Sequence, residues 1–127
     1  MQYILDTTSF EITTEIEHEL EHTHEHEHEH SISNYLFKTK EKCYNVENMK
    51  HFLGKLPDDI FRVKGFIHFL EIPKKRYILQ KAGSSFTLSE DPCWDGKDEI
   101  SRIIFIGKHI RKKKLQDTLL SEVFFTL

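Results

Sequence analysis

Residues 60–90 read IFRVKGFIHFLEIPKKRYILQKAGSSFTLSE, and this stretch decides the fold. From Ile60 to Ile72 apolar side chains recur at period two, with Phe61, Val63, Ile67 and Phe69 on one face. That spacing predicts a long strand, which Pro73 is expected to end. Arg76 to Ala82 gives a second strand through Tyr77 and Leu79. Gly83-Ser84 is a tight turn, and Ser85 to Glu90 folds back as the other arm of a hairpin.

Outward from this meander the pattern continues. Ser31 to Lys40 has strand alternation, with Tyr35 and Phe37 on one face and Leu36 on the other. Asn45 is placed to cap a short helix whose apolar positions are Val46, Met49, Leu53 and Leu56. Leu56-Pro57-Asp58-Asp59 breaks that helix. Asp91 to Glu99 is a polar loop around Trp94, expected to pack over an edge of the sheet. Ile100 to His109 is an Ile-rich strand, and Leu115, Leu119, Leu120 and Val123 set one apolar stripe on a final helix. The expected order is β-α-β-β-β-β-α: an α+β domain with a mainly antiparallel sheet of about five strands and two helices packed on one face. The order of strands within the sheet does not follow from the pattern.

The 127 residues divide sharply by charge. Up to Phe37 there are nine acidic residues and no Lys or Arg; from Lys38 onward there are 18 basic and 12 acidic residues. The overall net charge of −3 conceals this asymmetry. Glu15 to His30 is a Glu/His tract with almost no large apolar side chain. It cannot bury enough surface to offset an ordering cost of about 1–2 kcal/mol per residue. Glu21 to His30 reads as a flexible linker, and Glu11 to Leu20 as a weak helix at best. The organisation expected is therefore 1–14 as a lead-in segment, 15–30 as a His/Glu-rich metal-binding linker, and 31–127 as the folded domain.

The tract carries the clearest chemistry. His22, His24, His26, His28 and His30 alternate with glutamates, and His18 lies four residues before His22. Neutral imidazole binds zinc, nickel, copper and cobalt, and a carboxylate can add an oxygen ligand. Alternating anions draw a divalent cation toward the chain. A flexible ligand set closes around an ion at an entropic cost, so binding should be weaker and exchange faster than in a preformed cage. Such a tract also has plainer readings: a tag for solubility or purification, or a charged spacer. A tag fits poorly with the native-looking sequence on both sides. His51, His68 and His109 are isolated and are expected to be surface or half-buried residues and not ligands; Cys43 and Cys93 form no CxxC pair, so ordinary packing or exposure is expected of both. A secretory signal, and any run of about 18 apolar residues that would span a membrane, are absent from the sequence. The expected setting is the reducing cytoplasm.

Arg111-Lys112-Lys113-Lys114 is a basic run at the start of the last helix, where cations oppose the helix dipole. It reads either as a solvated face or as a docking surface for an acidic partner, and the Glu/His tract is one such partner. It lacks the aromatic interleaving of a nucleic-acid site. Phosphate loop, dinucleotide fingerprint and nucleophile elbow are all missing, so no catalytic residue is assigned.

Taken together, the His/acidic tract, ISNYLFKTKEKCYNVENMKHFLGKLPDDIFRVKGFIHFL (32–70) and RIIFIGKHI (102–110) resemble the carboxy-terminal domain of CobW-type GTPases. The most diagnostic pieces are Leu56-Pro57, Phe61-Arg62-Val63-Lys64-Gly65-Phe66 and Phe105-Ile106-Gly107. ILDTTSFEI (4–12) resembles the segment that closes the preceding GTPase domain, which makes 1–14 its expected remnant. The resemblance implies a metallochaperone associated with zinc or with cobalt for cobalamin, coupling GTP hydrolysis to metal delivery, with a His-rich tract between its two domains. It implies a GTPase domain and a client metalloprotein as partners, with no nucleic acid and no membrane. The family's phosphate loop, CxCC metal motif and guanine-specificity motif do not occur here, so no nucleotide-site residue carries over. The expected ligands for zinc, or for cobalt or nickel, are His18, His22, His24, His26, His28 and His30. GTP would enter only through a domain other than this one.

Overall fold

The computed structural model describes residues 32–124. Residues 1–14 and the tract 15–30, with its six histidines, lie outside the described residues. Five antiparallel strands form one sheet: β1 (Ile32–Thr39), β2 (Ile60–Phe69), β3 (Ile72–Ala82), β4 (Ser85–Glu90) and β5 (Ser101–Lys108). Two helices, α1 (Val46–Gly54) and α2 (Lys112–Thr118), accompany them, and α2 runs into a wider π turn at Leu119–Val123. The sheet order is β1-β5-β2-β3-β4, so the last strand inserts between the first two and the hairpin β3-β4 forms one edge. The α+β class, the antiparallel sheet and the two helices follow the expectation.

The strands β2 and β5 are central and buried on both faces. This explains why they read as nearly continuous apolar runs. On one face Phe37, Val63, Ile67, Phe69, Leu79, Ile103 and Phe105 meet Met49, Phe52 and Leu53 of α1 and Leu115, Leu119 and Val123 of the last helical segment. Both helices therefore cover the same face. The opposite face carries a smaller cluster of Leu36, Phe66, Ile78, Ile104 and Ile106, which contains no helical residue.

Three local expectations are corrected. The long strand does not run to Ile72. It ends at Phe69, and Leu70-Glu71 make a tight turn with Phe69 opposite Ile72. The turn escapes detection because neither residue carries the usual Gly or Asn turn chemistry. Pro73 lies inside β3 instead of ending a strand. The register passes from Phe69↔Ile72 to His68↔Arg76, so residues 73–75 have no opposite number on β2 and the missing proline N–H breaks no rung. Second, Phe61 is exposed, and Ile60 takes its place in the core. A register shift between Ile60 and Arg62 against β5 breaks the alternation there. Third, Leu120 is exposed while Leu115, Leu119 and Val123 are buried.

Helix α1 is capped from two directions. The Asn45 side chain accepts from Asn48 N–H at 2.7 Å, as expected of the cap, and Glu71 of the β2-β3 turn accepts from Val46 N–H at 2.8 Å. Cys43 joins the same corner: its N–H donates to His68 O and its carbonyl accepts from Leu70 N–H, both at 2.8 Å.

Candidate functional site

The chain turns sharply where β5 ends. His109 adopts a left-handed conformation, φ 55°, which short polar and His residues tolerate better than most. Ile110 and Arg111 then lead into α2. This corner faces the loop that follows α1, and the two enclose a groove of about 620 Å³. Its floor is apolar, with Leu56, Ile60, Ile110 and Leu115. Its rim carries Lys55 from α1's C-terminal cap, Lys108 from the end of β5, and Arg111 and Lys114 from the last helical segment, all exposed. Asp59 and Glu122 also line it. None of the four cations is ion-paired to a described residue. Charges left unpaired around an apolar floor are suited to an amphipathic or acidic chain segment.

The register of β1 fixes what lies beside this groove. Ile32, the first described residue, pairs with Lys108. The backbones of the two residues are one strand spacing, about 5 Å, apart.

The other titratable residues have structural roles. Cys43 is fully buried, its thiol donates to Asn45 O at 3.3 Å, and burial pushes its pKa up to about 12, so it is held as an unreactive thiol. Cys93 is half-buried, and neither cysteine forms a disulfide. His68 is 1% exposed, with its ring 5.1 Å from Trp94. Burial foremost, with the charges of Lys42 and Arg76, holds its imidazole below the ordinary range. The Trp94 indole N–H donates to Asp98 O at 2.7 Å, and Asp98 accepts from Arg102 at 2.7 Å. Arg76 donates to buried Asp91 at 2.6 Å and stands 4.1 Å over the Phe66 ring. These contacts fasten loop 91–99 onto the sheet. Among the described residues no group of three or more His, Cys, Asp or Glu side chains is placed to hold a metal ion. No helix among them is long and apolar enough to cross a membrane. The groove itself was visible in the sequence only as the basic run; Lys55 and Lys108 gave no sign of joining it.

Two strands of this sheet carry glycines whose need is steric. A Cβ on Gly65 would overlap the Arg102 carbonyl and lie 2.9 Å from Ile103 Cα; a Cβ on Gly107 would overlap the Asp59 carbonyl and lie 2.7 Å from Ile60 Cα. Both glycines belong to the segments singled out as diagnostic in the sequence.

The architecture is that of an α+β domain whose antiparallel sheet is covered by helices on one face. Residues 34–122 match the family model of the cobalamin synthesis protein CobW C-terminal domain, and the chain belongs to that family. Among solved structures it is similar to the Zn(II)-bound YjiA GTPase from E. coli, at 17% identity and TM-score 0.62, over 72% of this chain and 30% of that one. A Zn(II)-bound triple mutant of the YjiA GTPase gives the same identity, TM-score and coverage. The likeness is one of fold, and the chain spans less than a third of the GTPase's length. No curated protein matched the sequence.

Proposed function

We propose that this chain is the metal-binding and interaction domain of a CobW-like, GTP-dependent metallochaperone. The observation that carries this reading is the adjacency of a CobW C-terminal domain at 34–122 to six histidines within the thirteen residues before Ser31. The tract captures zinc, or cobalt or nickel, as cargo through His18, His22, His24, His26, His28 and His30. The folded domain supplies contacts to a GTPase domain and to a client metalloprotein in the cytoplasm. The chain itself contributes no catalytic residue, and hydrolysis belongs to the GTPase domain. That solved structures of similar fold are of a zinc-bound GTPase supports the choice of metal.

The sequence dictates the style of binding. A ligand set drawn from one short tract pays ordering entropy on closing around the ion, so the metal is held loosely enough to be handed on. Calorimetric titration with zinc of the whole chain, compared with a variant in which all six histidines are alanine, tests it. The expected result is loss of the tight phase in the variant. Equal affinities reduce the tract to a charged spacer, for which zinc binding should be on the order of millimolar or weaker.

A further inference from the structure

We propose that the groove between α1 and the β5-α2 corner is the docking site of this chain's own acidic tract, residues 15–29. Three observations converge on that occupant. The groove presents Lys55, Lys108, Arg111 and Lys114 against two carboxylates, and none of the four cations has an ion-pair partner among the described residues. The tract holds seven glutamates and no Lys or Arg. The β1-β5 register sets Ile32 beside Lys108, so the tract is delivered to the groove's edge.

Reach is not limiting. At about 3.3 Å per residue from Ile32, itself about 5 Å from Lys108, an extended chain could carry Glu27 at most roughly 22 Å and Glu21 at most roughly 41 Å from Lys108. Individual exposed ion pairs are weak. A tethered segment, however, meets its site at an effective concentration on the order of millimolar, so several weak contacts act together. Ile16 and Leu20, the tract's only large apolar side chains, are the natural occupants of a floor that includes Leu56 and Ile110. The contact is electrostatic first, so it weakens as salt shortens the screening length from about 10 Å at 0.1 M. It does not depend on metal binding by the histidines.

The test uses the full chain, uniformly labelled for NMR, with a chelator present throughout. In one variant all seven glutamates of the tract are changed to glutamine, leaving every histidine in place. The expected result is that amide signals of Lys55, Lys108, His109, Arg111 and Lys114 move by more than a linewidth at low salt. Those of the β3-β4 hairpin stay fixed, and wild type and variant converge at high salt. A second variant, K55Q/K108Q/R111Q/K114Q, should raise the fast mobility of tract amides to that of the first. The control K40Q/K50Q/K74Q/K97Q removes the same charge elsewhere and should leave the tract unchanged. Unmoved groove signals, or equal responses to the two lysine/arginine sets, overturn the proposal. Signals that shift with protein concentration also overturn it, because the tract would then be docking on a second copy.

Discussion

At the scale of single residues, the two glycines at the β2-β5 contact carry more of the fold than their size suggests. Gly65 faces Ile103, and Gly107 faces Ile60 just before the register shift. In each case the space a methyl group would need is filled by neighbouring backbone, which cannot rotate away as a side chain can. Gly65→Ala and Gly107→Ala should each cost about 1–3 kcal/mol through forced separation of the two central strands. Gly54→Ala at the end of α1 meets nothing within 4 Å and should be neutral or slightly stabilising. Urea midpoints for the three variants measure this, and equal midpoints would remove the steric account. The sequence displayed both strand glycines without their reason. A glycine in a strand marks close approach in general, but which backbone approaches is fixed by β5 returning to lie between β1 and β2.

At the scale of elements, strands were legible wherever alternation was undisturbed and misread wherever the backbone broke it. Tyr35, Leu36 and Phe37 sit as their alternation requires. Phe61 does not, because one irregularity between Ile60 and Arg62 reverses the inside and outside of everything before it. Loop 91–99 reads in the sequence as a polar loop whose Trp94 packs over an edge of the sheet; in the structure Trp94 instead packs on His68 of the middle strand β2. This makes the loop a source of pH dependence. The His68 imidazole is neutral when folded, and its pKa lies below the ordinary 6.5. Below about pH 6.5 the unfolded chain takes up a proton that the folded chain resists. Stability contributed by the buried neutral ring is therefore intact above that pH and is lost as pH falls toward the folded-state pKa. Groups facing the ring include Lys42 and Arg76, which oppose its protonation, and Asp98 and Glu99, which favour it. His68→Phe keeps an aromatic edge against Trp94 and should flatten the change in urea midpoint between pH 7.5 and 5.5. An unaltered slope would place the dependence elsewhere in the chain.

At the scale of the whole molecule, the β1-β5 ladder sets Ile32 opposite Lys108, at the rim of the basic groove. The sequence reveals both charges and the ligand chemistry of the histidines; it cannot reveal that Ile32 lies opposite Lys108, because that depends on β1 pairing with β5 in this register. If the same tract both docks on the groove and folds around a metal ion, the two events compete. Each zinc ion brings two positive charges to a segment held by cations, and closing around the ion shortens the reach of the glutamates. Coupling of this kind is reciprocal: whatever zinc does to docking, docking must do to zinc affinity. The K55Q/K108Q/R111Q/K114Q variant should therefore bind zinc more tightly than wild type, by about fivefold at low salt, the lower end of typical coupling. The difference should shrink at high salt, where the groove no longer holds the tract even in the wild type. Calorimetry at two ionic strengths measures both effects in the same samples. Identical zinc affinities at low salt would mean that capture and docking are independent, and that the groove does not regulate the loading of metal.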